Sequence, residues 1–385
     1  DLLNLKRGFI RFNTVYQLGS GHQQKVDYNY VKVDQGQGAY IWIDRNEDAV
    51  QQVDEFELSP FPDQADYIRV TLLTGQFIRT NNVVFTQSLT IRPKTLIQAI
   101  RRKKQSKEAL PFALDALQRF SSRSIFKIDR KTFDGAENIV AFNPFQLAVD
   151  DAALASISSS ITNTLYFNRT GTYSFEIVQR DSRSKPLLST GFESRRLEEY
   201  TLRQRLNLKP KRRPGKETPK FWRQARLQAA LEAVWREQGN DSEFFAIRDY
   251  TIRSYRVEPQ MTFLYKKAFR TVFKYAYASK FNLLGDQEQL ISHNTTLELS
   301  YNRAVKTNLK GSFSIVQITF DGDPSTPVGY AMTEGLQAGT NYLWTLTWSQ
   351  ALSKNLQLTF SYEGRRTGED SPVVHVGRAE IRATF

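Results

Sequence analysis

In the stretch NLQLTFSYEG, Leu356, Leu358, Phe360 and Tyr362 share one parity, and Gln357, Thr359, Ser361 and Glu363 share the other. A strand sends successive side chains to opposite faces, so this segment has one apolar face and one polar face. The pattern recurs along the chain. NYLWTLTWSQ sets Tyr342, Trp344, Leu346 and Trp348 against Thr345, Thr347 and Ser349, and TTLELSYNR sets Leu297, Leu299 and Tyr301 against Glu298, Ser300 and Asn302. TVFKYAYASK, GTYSFEIVQR and NVVFTQSLTIR repeat it upstream. Segments of about ten residues with a period of two are what a membrane-spanning β-strand requires. No apolar run reaches the roughly 18 residues of a membrane helix, and a mean hydropathy of −0.49 excludes a helical membrane protein but not a barrel, whose strands are only half apolar.

The connections sort by length. Counting back from Phe385, RRTGEDS is medium, ALSK short, DGDPSTPVGYAMTEGLQAGT long, RAVKT short, FNLLGDQEQL long and KKA short. Short turns at one end and long loops at the other distinguish a barrel crossing an outer membrane from a soluble sandwich, which has no reason to sort its loops. The expected fold is all-β: an antiparallel transmembrane β-barrel over 1–385 with long extracellular loops and a short, partly helical periplasmic insert at 94–120. Candidate spans lie near 6–17, 22–33, 83–93, 121–131, 158–168, 171–181, 196–208, 221–235, 250–265, 270–280, 291–302, 308–320, 341–350, 355–364 and 373–384. Their number is odd, whereas single-chain bacterial barrels are normally even. Either 66–78 is a further span, or, as we favour, the chain is the C-terminal part of a larger barrel.

The ending PVVHVGRAEIRATF fits this scheme. Phe385 closes a strand that turns Ala383, Ile381 and Ala379 outward and Arg378, Glu380 and Arg382 to the lumen. An aromatic end of this kind serves as the signal read by barrel-assembly machinery. Arg203 and Arg205 alternate with Leu202, Leu206 and Leu208, which makes these arginines lumen-facing as well. The net charge of +13 arises from basic residues scattered among strands rather than gathered on one face, so nucleic acid is not an expected partner. Outer-membrane lipid and lipopolysaccharide phosphates are.

The sharpest local motif is DRNEDAVQQVDE. Asp44, Asn46 and Asp48 take positions 1, 3 and 5 of a calcium loop, the Val50 carbonyl position 7, Gln52 position 9 and Glu55 position 12. Calcium needs six to eight hard oxygens, which this spacing supplies, but Ala49 stands where Gly makes the sharp turn, and the flanks are not helices. An acidic turn held by side-chain-to-backbone hydrogen bonds is the alternative. The motif sits in an expected extracellular loop insert, 34–82. His22, His293 and His375 have no neighbour at metal-ligand spacing and no nucleophile motif is present, so neither a histidine metal site nor an enzyme is expected. The chain has no Cys, which removes disulfides and thiolate chemistry.

The segments YAMTEGLQAGTNYLWTLTWSQALSKNLQLTFSYEGRR, VHVGRAEIRATF and GQGAYIWIDRNEDAVQQVDEFELSPFPDQADYIRV resemble the C-terminal barrel region of a family of large outer-membrane proteins of Bacteroidota. The loop of that family usually reads D-x-N-x-D-G, from which Ala49 departs. The resemblance implies a bacterial outer-membrane location and a barrel belonging to a longer precursor. Its N-terminal fragment and other outer-membrane proteins are the expected partners. The expected function is therefore a subunit of a larger outer-membrane complex for transport, secretion or assembly. A stand-alone porin-like channel and a soluble calcium-binding β-domain are the alternatives.

Overall fold

The computed structural model describes residues 2–5, 8–52, 55–104, 111–133, 143–145, 153–188, 191–208, 221, 224–266, 268–303, 306–368 and 371–383. The N-terminal half contains β1 (Leu2–Leu5), β2 (Ile10–Lys32), β3 (Tyr40–Trp42), β4 (Phe56–Leu58), β5 (Tyr67–Ile91), α1 (Pro93–Lys104), α2 (Phe112–Leu117), β6 (Phe120–Phe133), β7 (Leu154–Phe167), β8 (Tyr173–Leu188) and β9 (Gly191–Leu208). The second half contains β10 (Ala225–Ser242), β11 (Tyr250–Tyr265), β12 (Phe269–Asn282), β13 (Gln289–Arg303), β14 (Thr307–Asp321), α3 (Pro327–Thr333), β15 (Gly339–Ala351), β16 (Leu356–Arg366) and β17 (Val374–Ala383). Each long strand pairs antiparallel with the next, β2 with β5 and then β5 through to β17, giving a wall of fourteen long strands. Among the described residues no helix is long and apolar enough to cross a membrane.

The wall curls into a barrel whose two faces follow the sequence parity. Lumen-facing residues are odd-numbered on β9 and even-numbered on β10 to β14, and they meet across the interior around Arg203, Arg236, Arg256, Lys280 and Ser292. The opposite parity is apolar and exposed, as at Val257, Met261, Phe273, Leu297, Phe313 and Leu346. Pro259 has no N–H to give, and register partners between β11 and β12 are absent at Glu258 and Pro259 before resuming at Gln260↔Lys274.

Three expectations change. The spans 6–17 and 22–33 are one strand, β2, which runs straight through Gly19-Ser20-Gly21, a stretch that reads as a turn. The segment 66–78 is not a separate span but the first half of β5, and pairs with β2 over 67–73 and again from Phe77, with a register shift between. Fusing these leaves an even set of long strands. The 34–82 insert is correspondingly shorter: the β2–β5 ladder begins at Tyr67, and 33–66 lies outside it, with β3 and β4 paired to each other within the loop. Within 94–120, α1 and α2 are helical; residues 105–110 lie outside the described set.

β5 pairs with β6 only over Thr80–Ile91, so Tyr67–Arg79 and the facing part of β2 form a two-stranded arm beyond the wall. The arm carries the 33–66 loop, which has a small core of its own. Phe56 stacks on Tyr30 at 4.0 Å between ring centroids and meets Tyr67 edge-on at 5.0 Å. This loop docks on the β14–β15 connection. Tyr330 Oη donates to the Leu58 carbonyl at 3.1 Å, and Arg45 Nε donates to the Ser325 carbonyl at 3.3 Å. Burial, and then the charge of Glu57, push the Tyr330 phenol up to about 12, so it stays a neutral donor. The strongest tie is a bidentate pair between Arg365, near the end of β16, and Asp63 just before β5, with the guanidinium over the Phe61 ring at 4.2 Å.

α3 is short but well delimited. Pro327 occupies its first turn, Thr326 Oγ1 accepts from Gly329 N at 3.0 Å, and Glu334 ends it in the left-handed region at φ 58°. Its apolar side enters the barrel: Met332 and Val328 pack with Ile252, Leu290, Val316 and Ile318, all buried, on the lumen face of β11, β13 and β14. Lys280 Nζ fixes the far end by donating to the Met332 carbonyl at 2.7 Å and to Glu334 at 2.6 Å.

Met332→Ala should cost about 2–5 kcal/mol, since a fully buried side chain is lost from a cluster that cannot collapse around it. The check is a thermal melt followed on heat-modifiable gels, together with protease release of the β14–β15 connection. Asp63→Ala should loosen the loop more than Asp63→Ala combined with Arg365→Met, because the single change strands a buried guanidinium at a cost of about 3–5 kcal/mol. Proteolysis rates between residues 33 and 66 in the two variants would show the order; equal rates would deny the pair its role.

Candidate functional site

Each expected lumen residue can be placed by register. Glu176, Arg203 and Glu232 stand side by side on β8, β9 and β10. Arg203 Nε donates to Glu232 at 2.6 Å, and Arg203 Nη1 lies 3.5 Å from Glu176. Arg256 continues the row, 3.2 Å from Glu232 and 3.0 Å from Glu258. Arg236 with Glu199 at 2.6 Å extends this charge ladder toward the long-loop end, while Arg253 with Glu237 at 2.9 Å is a cross-strand pair on the opposite, outer parity. Cross-strand opposite charges hold the register and neutralise one another. Arg205 shares the face of Arg203, between Ser174 and Ala230. Arg378, Glu380 and Arg382 face Ser361, Thr359 and Gln357, which puts them on the polar parity of β16 and β17. Ile381 lies on the other parity and is 69% exposed, with Ala383 beside Leu356. Phe385 lies outside the described residues.

The outer face carries aromatic rings at two levels. Near the short-turn end, Phe120, Phe167 and Phe175 pack with centroids 4.9 Å apart in sequence along the wall, and Phe221 stacks on Tyr265 at 4.9 Å. Toward the long-loop end, Tyr200 meets Trp235 at 5.4 Å, and Tyr277 meets His293 at 5.3 Å. Gly364 leaves the space that the Trp344 indole fills; a Cβ there would overlap the ring. Two of the three histidines, His293 and His375, belong to this level. His293 Nδ1 pairs with Tyr275 Oη at 2.7 Å, and His375 Nδ1 with Tyr362 Oη at 2.8 Å.

The DRNEDAVQQVDE loop is a hydrogen-bonded turn. Asp44 Oδ2 accepts from Ala49 N at 2.9 Å, Asn46 Oδ1 from Asp48 N at 3.1 Å, and Asp48 Oδ1 from Val50 N at 2.7 Å. Gln52 Nε2 and Asn46 Nδ2 both donate to Asp48 Oδ2 at 2.9 Å. Two details match a calcium loop: Ala49 adopts φ 57°, the conformation usually left to Gly, and Asp44 Oδ1 is buried with no partner. Glu55 does not match. Its carboxylate accepts from the Trp42 indole at 2.7 Å and from the backbone of Arg45 and Gln52 at 3.3 Å. Among the described residues, no three His, Cys, Asp or Glu side chains converge as a metal-holding group. The donor set fits a cation at Asp44 and not, as arranged, at Glu55.

Sequence reading missed the apolar patch inside the lumen. Its signal is an apolar residue on the polar parity near a strand's long-loop end: Ile252 ahead of Ser254 and Arg256, Leu290 ahead of Ser292 and Asn294, and Val316 and Ile318 after Ser312 and Ser314. α3 covers all of them, so the lumen face of β11, β13 and β14 is apolar at the long-loop end and charged in the middle. At the short-turn end it opens into a cavity of about 660 Å³ lined by Arg169, Arg203, Arg205 and Arg270.

No protein-family model and no curated protein matches the chain. Among solved structures, it is similar to CdiB from Acinetobacter baumannii, with 9% identity and a TM-score of 0.40. The match covers 94% of this chain and 60% of that one, so this chain spans less than two thirds of the length of CdiB.

Proposed function

We propose that this chain is part of the wall of a bacterial outer-membrane barrel, narrowed on its extracellular side, and serves as a subunit of a larger outer-membrane complex. The observation that carries the reading is α3, which enters the lumen at the long-loop end with the 33–66 loop docked on it: both narrow the path that a free diffusion channel would need. The membrane location is supported by the outer face. From Tyr255 to Tyr265 on β11, ten residues at about 3.3 Å each and a tilt of about 40° span roughly 25 Å, the height of an outer-membrane apolar band. Val257, Met261 and Phe263 lie between on the same parity. A soluble calcium-binding β-domain would have to leave this band bare to water. Lipid and lipopolysaccharide are then the surroundings of the outer face, and the barrel-assembly machinery the route by which β17 is recognised.

A larger barrel is supported by strand direction. β1 pairs with the first residues of β2, and no register joins β17 to β1 or β2 among the described residues. β1 and β17 run the same way, since the strands between them alternate. With β1 as the margin, direct contact would be parallel and an antiparallel closure takes an odd number of further strands; on the edge of β2 beyond Asn13, which runs opposite to β17, closure takes an even number or none. In lipid an open edge is expensive because its N–H and C=O groups have no water to bond. The N-terminal part of the same precursor is the proposed donor of those strands.

The test is a photo-crosslinking residue at Ala379 on β17, in protein extracted from membranes with detergent. Cross-links to peptides outside residues 1–385 of the same precursor are expected. Cross-links to 10–20 of β2 would show direct closure and remove the need for more strands, and solubility without detergent would remove the membrane altogether.

We also propose that the 44–55 loop takes calcium weakly, at the millimolar level sufficient for an extracellular site, with Asp44 as its anchor. Ligation by Glu55 must release the Trp42 indole, so titration with calcium is expected to change Trp42 fluorescence. Asp44→Asn should abolish the response, and magnesium should not reproduce it. An unchanged spectrum at several millimolar calcium would leave the loop a purely hydrogen-bonded turn.

A further inference from the structure

We infer that the cavity at the short-turn end of the lumen is a binding site for an anionic ligand of the phosphate class. The cavity holds about 660 Å³ and is lined by Glu176, Glu232 and Glu258 against Arg169, Arg203, Arg205 and Arg270. Its three carboxylates are already committed. Glu176 and Glu232 serve Arg203, and Glu232 and Glu258 serve Arg256, all within 3.5 Å. Arg205 and Arg270 have no carboxylate within ion-pair distance among the described residues, and Arg169 lies over the Tyr166 ring, 4.6 Å from its centroid. Among the described residues, three guanidinium groups thus border one cavity without an acidic partner.

Wall-building alone does not account for them. Arg203 and Arg236 each brace this wall against a Glu directly across on a neighbouring strand, at Arg203↔Glu232, Glu176↔Arg203 and Arg236↔Glu199, and Arg256 reaches Glu232 diagonally. Arg205, one lumen position further, has Ser174 and Ala230 in those places. Both are small, so the wall recedes where the charge ladder loses its acids. The recess is floored by neutral polar groups, Gln228, Gln260 and Thr262, with Gln260 Nε2 donating to Thr262 Oγ1 at 3.0 Å.

Guanidinium groups offer paired N–H donors that match the oxygens of a phosphate, and in a cleft with low-dielectric walls their field is focused rather than screened. The volume exceeds that of one phosphate, which suits a diphosphate or a phosphate ester. The assignment of this mouth to the periplasmic side rests on the function proposed above; binding itself does not.

Isothermal titration of the detergent-solubilised protein with pyrophosphate is the test, with citrate in parallel. Saturable pyrophosphate binding is expected, weakened at least tenfold by Arg205→Ala and by Arg270→Ala separately and more by the pair, with Arg378→Gln on the distant β17 unchanged. Arg205→Lys should recover part of the affinity, because the charge returns without the paired donors. Retained heat-modifiable mobility confirms that each variant is folded. Equal or tighter citrate binding would overturn the phosphate class. Absence of pyrophosphate binding, or binding indifferent to both arginines, would overturn the site, whereas detergent-free solubility would overturn only the membrane reading.

Discussion

Every feature of this molecule depends on one constraint, the parity of an antiparallel ladder that keeps its register over long runs and shifts it at Gln24/Val26 and Lys131/Thr132. Because each strand is in register with the next, the choice of face made at one residue propagates around the wall, and a single-residue slip would turn the whole charged interior outward. The register is held by backbone bonds along the full strands and by the lumen ion pairs across them. Glu232 is the hinge of that charge row, shared between Arg203 and Arg256. Exposed ion pairs of this kind contribute little singly, but a row of them makes every alternative register place like charges together.

Within that wall, the interior is graded from end to end. The apolar cluster around Met332 lines the β11–β14 side of the long-loop end, and the balanced Arg–Glu row lines the middle. The acids run out near Arg205. A lumen built this way is directional, apolar and partly covered toward one end and rich in arginine toward the other. The cover is assembled from segments far apart in sequence, since Asp63 reaches Arg365 and Leu58 reaches Tyr330. It forms only once both halves of the chain are in place.

Much of the wall was legible because the period-2 signal is strong wherever one face meets an apolar environment and the other does not. From β6 onward the expected spans and the strands coincide closely. The failures are local and physical. Gly19-Ser20-Gly21 has turn composition, yet β2 continues through it because β5 supplies a partner at every residue, from Gly19↔Asn82 to Gly21↔Thr80. Tertiary pairing overrode local propensity there. The covered lumen face was hidden because a helix of seven residues carries too little periodicity to announce which face it buries. The breaks in parity at Ile252, Leu290, Val316 and Ile318 were visible but had no meaning until something covered them. The acidic loop shows the opposite limit: its spacing names a donor set, while the direction of Glu55 is decided by Trp42, thirteen residues away.

The two-stranded arm of β2 and β5 has a mechanical consequence. It rises from one margin of the wall, and its loop is fastened to β16, one strand short of the other margin. The arm therefore ties one margin of the wall to the strand next to the other, and the distance between the two margins cannot exceed the reach of that fastened hairpin.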